Sequence, residues 1–280
     1  MKIGLSTWSL LGLDVASAVR AIGDVGFDYL ELWGDAPHAL PGWVDKHALS
    51  EALSSYEMTV TMHAPFTDLN PANPFQPVRG AVERTLEEFV GFGDSLGAKV
   101  ITVHPGSVHN EAMVPASAAN AAAILRTMVK AADGRLAISV ENQTKSKSKY
   151  HYPLGSTASS LEGLMEAVED LRFTLDTGHA QASAQVPEDL VQMAGPRLVE
   201  VHLSDNTGES DAHLVPGDGT ANLNKLMRML AGSEVFVCLE LNPHIYSPQQ
   251  VLAAAASYKS RFDTGKKDPV PESHSPPSER

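Results

Sequence analysis

The feature that most constrains this chain is a regular alternation of two kinds of segment. Eight short runs rich in Val, Ile and Leu lie at residues 3–7, 29–32, 60–63, 100–104, 137–141, 173–176, 199–203 and 235–240. All are too short for helices. Between and after them lie stretches with apolar residues at helical spacing, predicting helices at 15–25, 46–56, 77–96, 118–132, 159–168, 187–193, 223–230 and 248–259. Asp14 is placed to cap the first helix and Gly26 to end it. Near-continuous apolar runs predict parallel strands buried on both faces. Eight strand–helix units predict an α/β fold: one (β/α)₈ TIM barrel over residues 1–262. An open doubly wound sheet would carry a Gly-rich phosphate loop after the first strand. That place reads Ser6-Thr7-Trp8-Ser9-Leu10, with no such loop. Residues 263–280 hold four prolines among polar residues and predict a disordered tail.

Length and charge narrow the function classes. The 280 residues fit one barrel, which typically uses about 250. A formal net charge of −13 opposes a nucleic-acid partner held by a basic surface, without excluding a local basic cleft. The single cysteine, Cys238, permits no intrachain disulfide and reads as a buried strand thiol. Met1-Lys2-Ile3 enters a strand directly, and no apolar run reaches the ~20 residues that span a bilayer. A cytoplasmic protein with no membrane partner is expected; the helix exteriors give no signal of oligomeric state.

The functional signal is positional. Apolar strands end repeatedly in an ionisable residue: His63, His104, Glu141, Asp176, His202 and Glu240. In a parallel barrel these ends share one mouth, where barrel enzymes place their chemistry. One such residue is an ordinary polar strand end. Six converging on one small space would repel or stay unpaired unless a cation compensates them. His and carboxylates are metal-ligand types, so one to three divalent ions, Zn²⁺ or Mn²⁺, are expected per chain. His179 lies three residues after Asp176, and Asp211-Ala212-His213 sits in the loop after the seventh strand. Trp8 and Trp33 follow the first two strands and are placed to line a substrate pocket.

In order along the chain, His63-Ala-Pro, His104-Pro-Gly, Glu141-Asn, Asp176-Thr-Gly-His179, His202-Leu-Ser-Asp205, Asp211-x-His213 with Gly217-x-Gly219, and Glu240 resemble the xylose isomerase-like barrel superfamily. That group includes endonuclease IV and the sugar phosphate isomerases/epimerases. The resemblance to endonuclease IV implies three zincs. One would be held by His63 and His104, a second by Asp176, His202 and Glu240, and a third by His179, Asp211 and His213, with Glu141 bridging the first two. The resemblance to the epimerases implies one Mn²⁺ or similar ion on Glu141, Asp176, His202 and Glu240. Two departures weigh against DNA. The Ala-Gly-Gln-Gly run that follows the endonuclease's fifth-strand glutamate is replaced by residues 142–150, and Phe66 stands where that family has a hydroxylated aromatic.

Two activities follow. In the favoured one, a sugar or sugar phosphate is isomerised or epimerised. Glu141 and Glu240 move the proton through a metal-stabilised enediolate, and His179 binds a substrate oxygen. Lys145, Lys147 and Lys149 are placed to receive a phosphate. The alternative is metal-dependent phosphoester hydrolysis, with a metal-activated water attacking phosphorus.

Overall fold

The computed structural model describes residues 1–263. Eight parallel strands close into one barrel: β1 (Lys2–Ser6), β2 (Tyr29–Trp33), β3 (Thr59–His63), β4 (Val100–Val103), β6 (Ala137–Glu141), β8 (Arg172–Asp176), β9 (Leu198–Leu203) and β10 (Phe236–Leu239). Each strand neighbours its predecessor in the chain, and β10 closes on β1 with Ile3 opposite Val237 and Leu5 opposite Leu239. Two short strands were not expected. β5 (Ser107–Val108) and β7 (Tyr152–Pro153) pair antiparallel above the barrel.

The helices follow the apolar pattern. They are α1 (Val15–Asp24), α2 (Lys46–Ser55), α3 (Gln76–Ser95), α4 (Val114–Ala132), α5 (Ala158–Ala167), α6 (Thr177–Ala182), α7 (Pro187–Ala194), α8 (Leu223–Leu230) and α9 (Pro248–Asp263). In α1 the buried residues Val15, Ala18, Val19 and Ile22 recur every three or four positions, and the Asp14 carboxylate accepts from the Ser17 amide at 3.0 Å. Such a cap contributes about 1 kcal/mol, and each fully buried Val or Ile about 1.5–3 kcal/mol. α6 is an addition to the expected set: Asp176 ends β8 and caps the next turn in one stroke. α4 begins four residues earlier than the spacing predicts, with a proline in its first turn, a position that needs no amide donor. The segment Glu111–Ala132 is long and apolar enough, at mean hydropathy 1.2, to cross a bilayer by length and composition alone, against the expectation of no such run. Its Ile124, Leu125 and Met128 are buried in the hydrophobic core. The tail expected over 263–280 lies outside the described residues, apart from Asp263 at the end of α9.

Alternation along the strands separates two cores. Residues such as Leu30, Met62, Ile101, Ile138 and Leu175 belong to the apolar cluster. Their neighbours Tyr29, Thr61, Thr102, Ser139, Thr174 and Glu200 hydrogen-bond to one another across the barrel interior. The strands are therefore not uniformly apolar. One face feeds the outer core and the other builds a polar floor. Two residues above that floor, on five of the strands, come His63, His104, Glu141, Asp176 and His202.

Candidate metal centre

Glu141 is the hub. Its Oε2 lies 2.6 Å from His104 Nε2 and 3.5 Å from His63 Nε2, and its Oε1 lies 2.8 Å from His202 Nδ1. His202 Nδ1 also lies 3.6 Å from Glu240 Oε2. Ligand-type atoms of Glu141, Asp176, His202 and Glu240 all fall within 4.8 Å of one another, as do those of His63, Glu141 and His202, and those of Asp176, His179 and His213. Asp211 Oδ2 sits 3.1 Å from both His179 Nε2 and His213 Nε2. All nine expected ligand-type residues thus meet at one mouth. Glu141 stands between the His63/His104 pair and the Asp176/His202/Glu240 set, where the resemblance would have it bridge.

Backbone partners aim these side chains. His63 Nδ1 lies 2.8 Å from the Ala64 carbonyl, and His179 Nδ1 lies 2.8 Å from the Asn142 carbonyl. Both rings therefore turn Nε2 toward the cavity. The loop carrying Asp211 and His213 is pinned by Asp205, which the motif contains but whose role the sequence left open. Its buried carboxylate accepts from the amides of Asn206, Gly217, Gly219 and Ala221. Gly219 approaches so closely that a Cβ there would lie 2.4 Å from the Asn206 carbonyl oxygen.

Burial alone would empty this cluster of charge, so its protons follow the pairing. Burial disfavours a charged His63, but the hydrogen bond and charge of Glu141 outweigh it and raise the ring to about 9. Asp211 does the same for His213, also to about 9. His104, flanked by His63 and His179, is held below its ordinary value, chiefly by burial. Glu141 sits well below the usual carboxylate range because His104 and His202 overcome its desolvation. Burial pushes Glu240 up to about 8 and also raises Asp176.

A divalent cation fits this site. Buried Asp176 Oδ2 and Asp211 Oδ1 have no hydrogen-bond partner, although each carboxylate's other oxygen is bonded. Unpartnered buried carboxylate oxygens are costly, and a cation would satisfy both. It would also replace the protons that now hold the imidazole–carboxylate pairs together. Glu141, Asp176 and Glu240 give an oxygen-rich set of the kind that suits Mn²⁺ or Mg²⁺. The imidazoles of His63, His104, His179 and His213 suit Zn²⁺ better.

The cluster floors a cavity of about 300 Å³ walled by Trp8, Trp33 and Phe66. Trp8 meets His213 edge-on at 4.8 Å. The three lysines expected at a phosphate do not line it. Lys145, Lys147 and Lys149 are exposed, the Lys147 ammonium donates to the Glu209 carbonyl, and that of Lys149 lies over the Tyr150 ring. The loop carrying them is tied to a neighbouring segment, its Lys145 amide donating to the Ser183 hydroxyl.

Sequence reasoning missed Glu31. Its Oε2 lies 2.9 Å from His202 Nε2, with both side chains fully buried. Beneath it, Glu200 accepts from Tyr29 and Thr61 at 2.6 Å and from Thr102 at 3.0 Å, and burial pushes its carboxyl up to about 7. The signal was available: a glutamate in the middle of each apolar run, Tyr29-Leu-Glu31-Leu and Val199-Glu200-Val-His202.

The family model described as xylose isomerase-like TIM barrel matches residues 19–260. The chain belongs to that family. Among similar proteins, an uncharacterized protein of Methanocaldococcus jannaschii is 29% identical over 237 residues, covering 82% of this chain and 79% of that one. Fructoselysine 3-epimerase of Shigella flexneri is 24% identical over 274 residues, covering 89% and 95%. Among solved structures, a D-tagatose 3-epimerase-like protein superposes with a TM-score of 0.82 at 26% identity, covering 94% of this chain and 97% of its own. D-Psicose 3-epimerase from Clostridium cellulolyticum shares the fold, with a TM-score of 0.76 at 16% identity over 94% and 98%.

Proposed function

We propose that this chain is a divalent-metal-dependent epimerase that inverts a ketose at the carbon beside its carbonyl. The observation that carries this reading is the approach of Glu141, Asp176, His202 and Glu240 to within 4.8 Å of one another, with Glu141 and Glu240 lining an aromatic-walled cavity. Relatives and neighbours named as sugar 3-epimerases support it.

The four residues would hold one ion, with Mn²⁺ matching their oxygen-rich set. When bound, it supplies Lewis acidity that polarises a carbonyl and stabilises negative charge on neighbouring oxygens. The remaining chemistry belongs to the chain. Epimerisation needs a proton removed from one face of a carbon and returned to the other. Glu141 ends β6 and Glu240 follows β10, with β8 and β9 between them around the barrel. The two carboxylates therefore reach the cavity from different sides. One accepts the carbon-bound proton as the carbonyl electrons move to oxygen. The other returns a proton to the opposite face as the carbonyl re-forms. His179 would exchange its Asp211 contact for a substrate oxygen, and Trp8 and Trp33 would exclude water from the reacting carbon.

The cavity favours an unphosphorylated sugar, because neither Lys nor Arg is among its lining residues. Incubating metal-reconstituted protein with free ketoses and separating the products tests the reading. Epimer formation that Glu141→Gln and Glu240→Gln each abolish supports it. A metal-loaded protein that converts no ketose overturns it.

A second reading, metal-dependent phosphoester hydrolysis, draws on the additional ligand-type residues His63, His104, His179, Asp211 and His213. Three tightly held zincs with cleavage of a small phosphoester or abasic-site DNA would favour it.

A further inference from the structure

A second cavity, of about 410 Å³, lies beside the first and shares Phe66 and His104 with it. Its other walls come from the segments that follow β3, β4 and β6, including Asp68, Ser107, Gln143, Thr144 and His151. These segments are braced against one another. Ser107 and Val108 pair with Pro153 and Tyr152 in the small sheet. The Leu154 amide donates to the Gly106 carbonyl at 2.9 Å, and the Gln143 amide to the Gly155 carbonyl at 3.0 Å. The Asn70 side chain donates to the Ser107 carbonyl at 2.8 Å and accepts from the Ser107 amide at 3.1 Å. Gly106 makes this approach possible. Its φ is +88°, and a Cβ there would lie 2.1 Å from Asn70 Oδ1. The wall is thus set before any ligand arrives, which lowers the ordering cost of binding.

The lining specifies a ligand class. Phe66 stacks on His104 at 4.5 Å and 26°, giving both cavities a shared aromatic side. Gln143, Thr144, Ser107 and His151 offer hydrogen-bonding groups around it. An aromatic face with a few polar groups is the usual lining of a small-molecule site. Neither Lys nor Arg lines either cavity. The acid among the second cavity's lining residues is Asp68, whose carboxylate would oppose an anionic group there. Asp68 is exposed, so a cation would gain little from it. An uncharged, hydroxyl-bearing group is what remains. The first cavity, at about 300 Å³, lies at the small end of the range for ligand sites, and the second adds room beyond a single sugar ring.

We propose that the substrate is a ketose bearing an uncharged glycosyl substituent. The ketose sits over the metal-side carboxylates, and the substituent lies past Phe66 and His104 in the second cavity. This rests on the ketose-epimerase reading above and names its substrate class.

The test compares kcat/KM of the metal-loaded full chain on a free ketohexose, its 6-phosphate, and glucosyl-ketohexoses linked through different hydroxyls. At least one glucosyl-ketose is expected to exceed the free sugar and the phosphate by tenfold or more. Thr144→Trp, which fills the second cavity, is expected to bring that substrate down to the free-sugar value while leaving turnover of the free sugar within twofold. Saturation-transfer NMR on chelated wild-type protein supplies a readout independent of turnover, with transfer expected to the glucosyl ring protons. If the free ketose or its phosphate is turned over as well as every glucosyl-ketose, or no transfer reaches the glucosyl ring, the subsite is overturned and the epimerase reading stands. If no ketose of either size is epimerised, both fall.

Discussion

Glu31 offers a sharp perturbation, because it does not line the cavity and the candidate ligand it hydrogen-bonds is His202. Its Oε2 lies 2.9 Å from His202 Nε2, and neither side chain has any exposure. With Nε2–H donated to Glu31, the Nδ1 lone pair is left facing Glu141 and Glu240, where an ion would sit. A charge-assisted bond of this kind is worth about 1.5–3 kcal/mol, and losing the carboxylate behind a metal-ligating histidine typically weakens metal binding by about 10–100-fold. That range corresponds to roughly 1.4–2.7 kcal/mol. Glu31→Gln keeps an acceptor for Nε2–H and loses the charge, so about tenfold is expected. Glu31→Ala loses both and should fall near a hundredfold. The assay is calorimetric titration of stripped protein with Mn²⁺ or Co²⁺, with the Co²⁺ visible spectrum reporting ligand geometry and the melting temperature of stripped protein as the fold control. Wild-type affinity and an unchanged Co²⁺ spectrum in Glu31→Gln would refute the reasoning.

Three further outcomes are expected. Glu240→Gln should lower kcat for ketose epimerisation by at least about a hundredfold, the usual share of a general acid–base group, with folding intact by circular dichroism. Gly34→Ala should destabilise the protein by roughly 1–3 kcal/mol in denaturant melts, since its Cβ would lie 2.3 Å from the His63 carbonyl oxygen and 2.7 Å from the Phe89 ring; an unchanged midpoint would show that the strand end gives way freely. Metal-free protein should lose stability as pH rises from 6.5 to 9. Glu200 and Glu240 sit at about 7 and about 8 against an ordinary 4.5, so the stability they contribute is full below 4.5 and disappears as pH climbs through those values. His63 and His213, at about 9 against 6.5, contribute in the same sense and lose their share between those two values. The lowered carboxylates Glu141 and Asp211 add nothing that changes in this window, and the lowered His104 acts in the opposite sense only below 6.5, so the net loss is read between 6.5 and 9. A melting temperature that rises toward pH 9 would contradict the pairing described.

Much of the site was legible because two periodicities coincide. A strand end is visible as the last residue of an apolar run, and in a parallel barrel all such ends share a rim. His63, His104, Glu141, Asp176, His202 and Glu240 could therefore be grouped without coordinates. The polar floor was harder to see. Thr61, Thr102, Ser139 and Thr174 each stand singly inside a strand, and one small hydroxyl does not break an apolar run. Only strand alternation, applied backwards from each rim residue by two positions, would have put them on the inner face with Glu200. Glu31 was lost the same way, since its partner His202 lies 171 positions away and no local pattern links them. The lysines stand outside the lining of either cavity: three basic residues in a polar loop resemble a phosphate site, but the Lys145 amide is held by Ser183 and the Lys147 ammonium by the Glu209 carbonyl. The β5–β7 pairing went unread because two-residue strands carry no periodicity.

The most direct test is proton exchange in heavy water. Ketoses, including glucosyl-ketoses, would be incubated in D₂O with metal-loaded protein and with chelator-stripped protein, and deuterium at the carbon beside the carbonyl read by NMR. The account predicts exchange with the loaded protein, its disappearance on stripping, and its return on adding a divalent ion. Exchange that ignores the chelator, or a metal-loaded protein that labels no ketose, would contradict it.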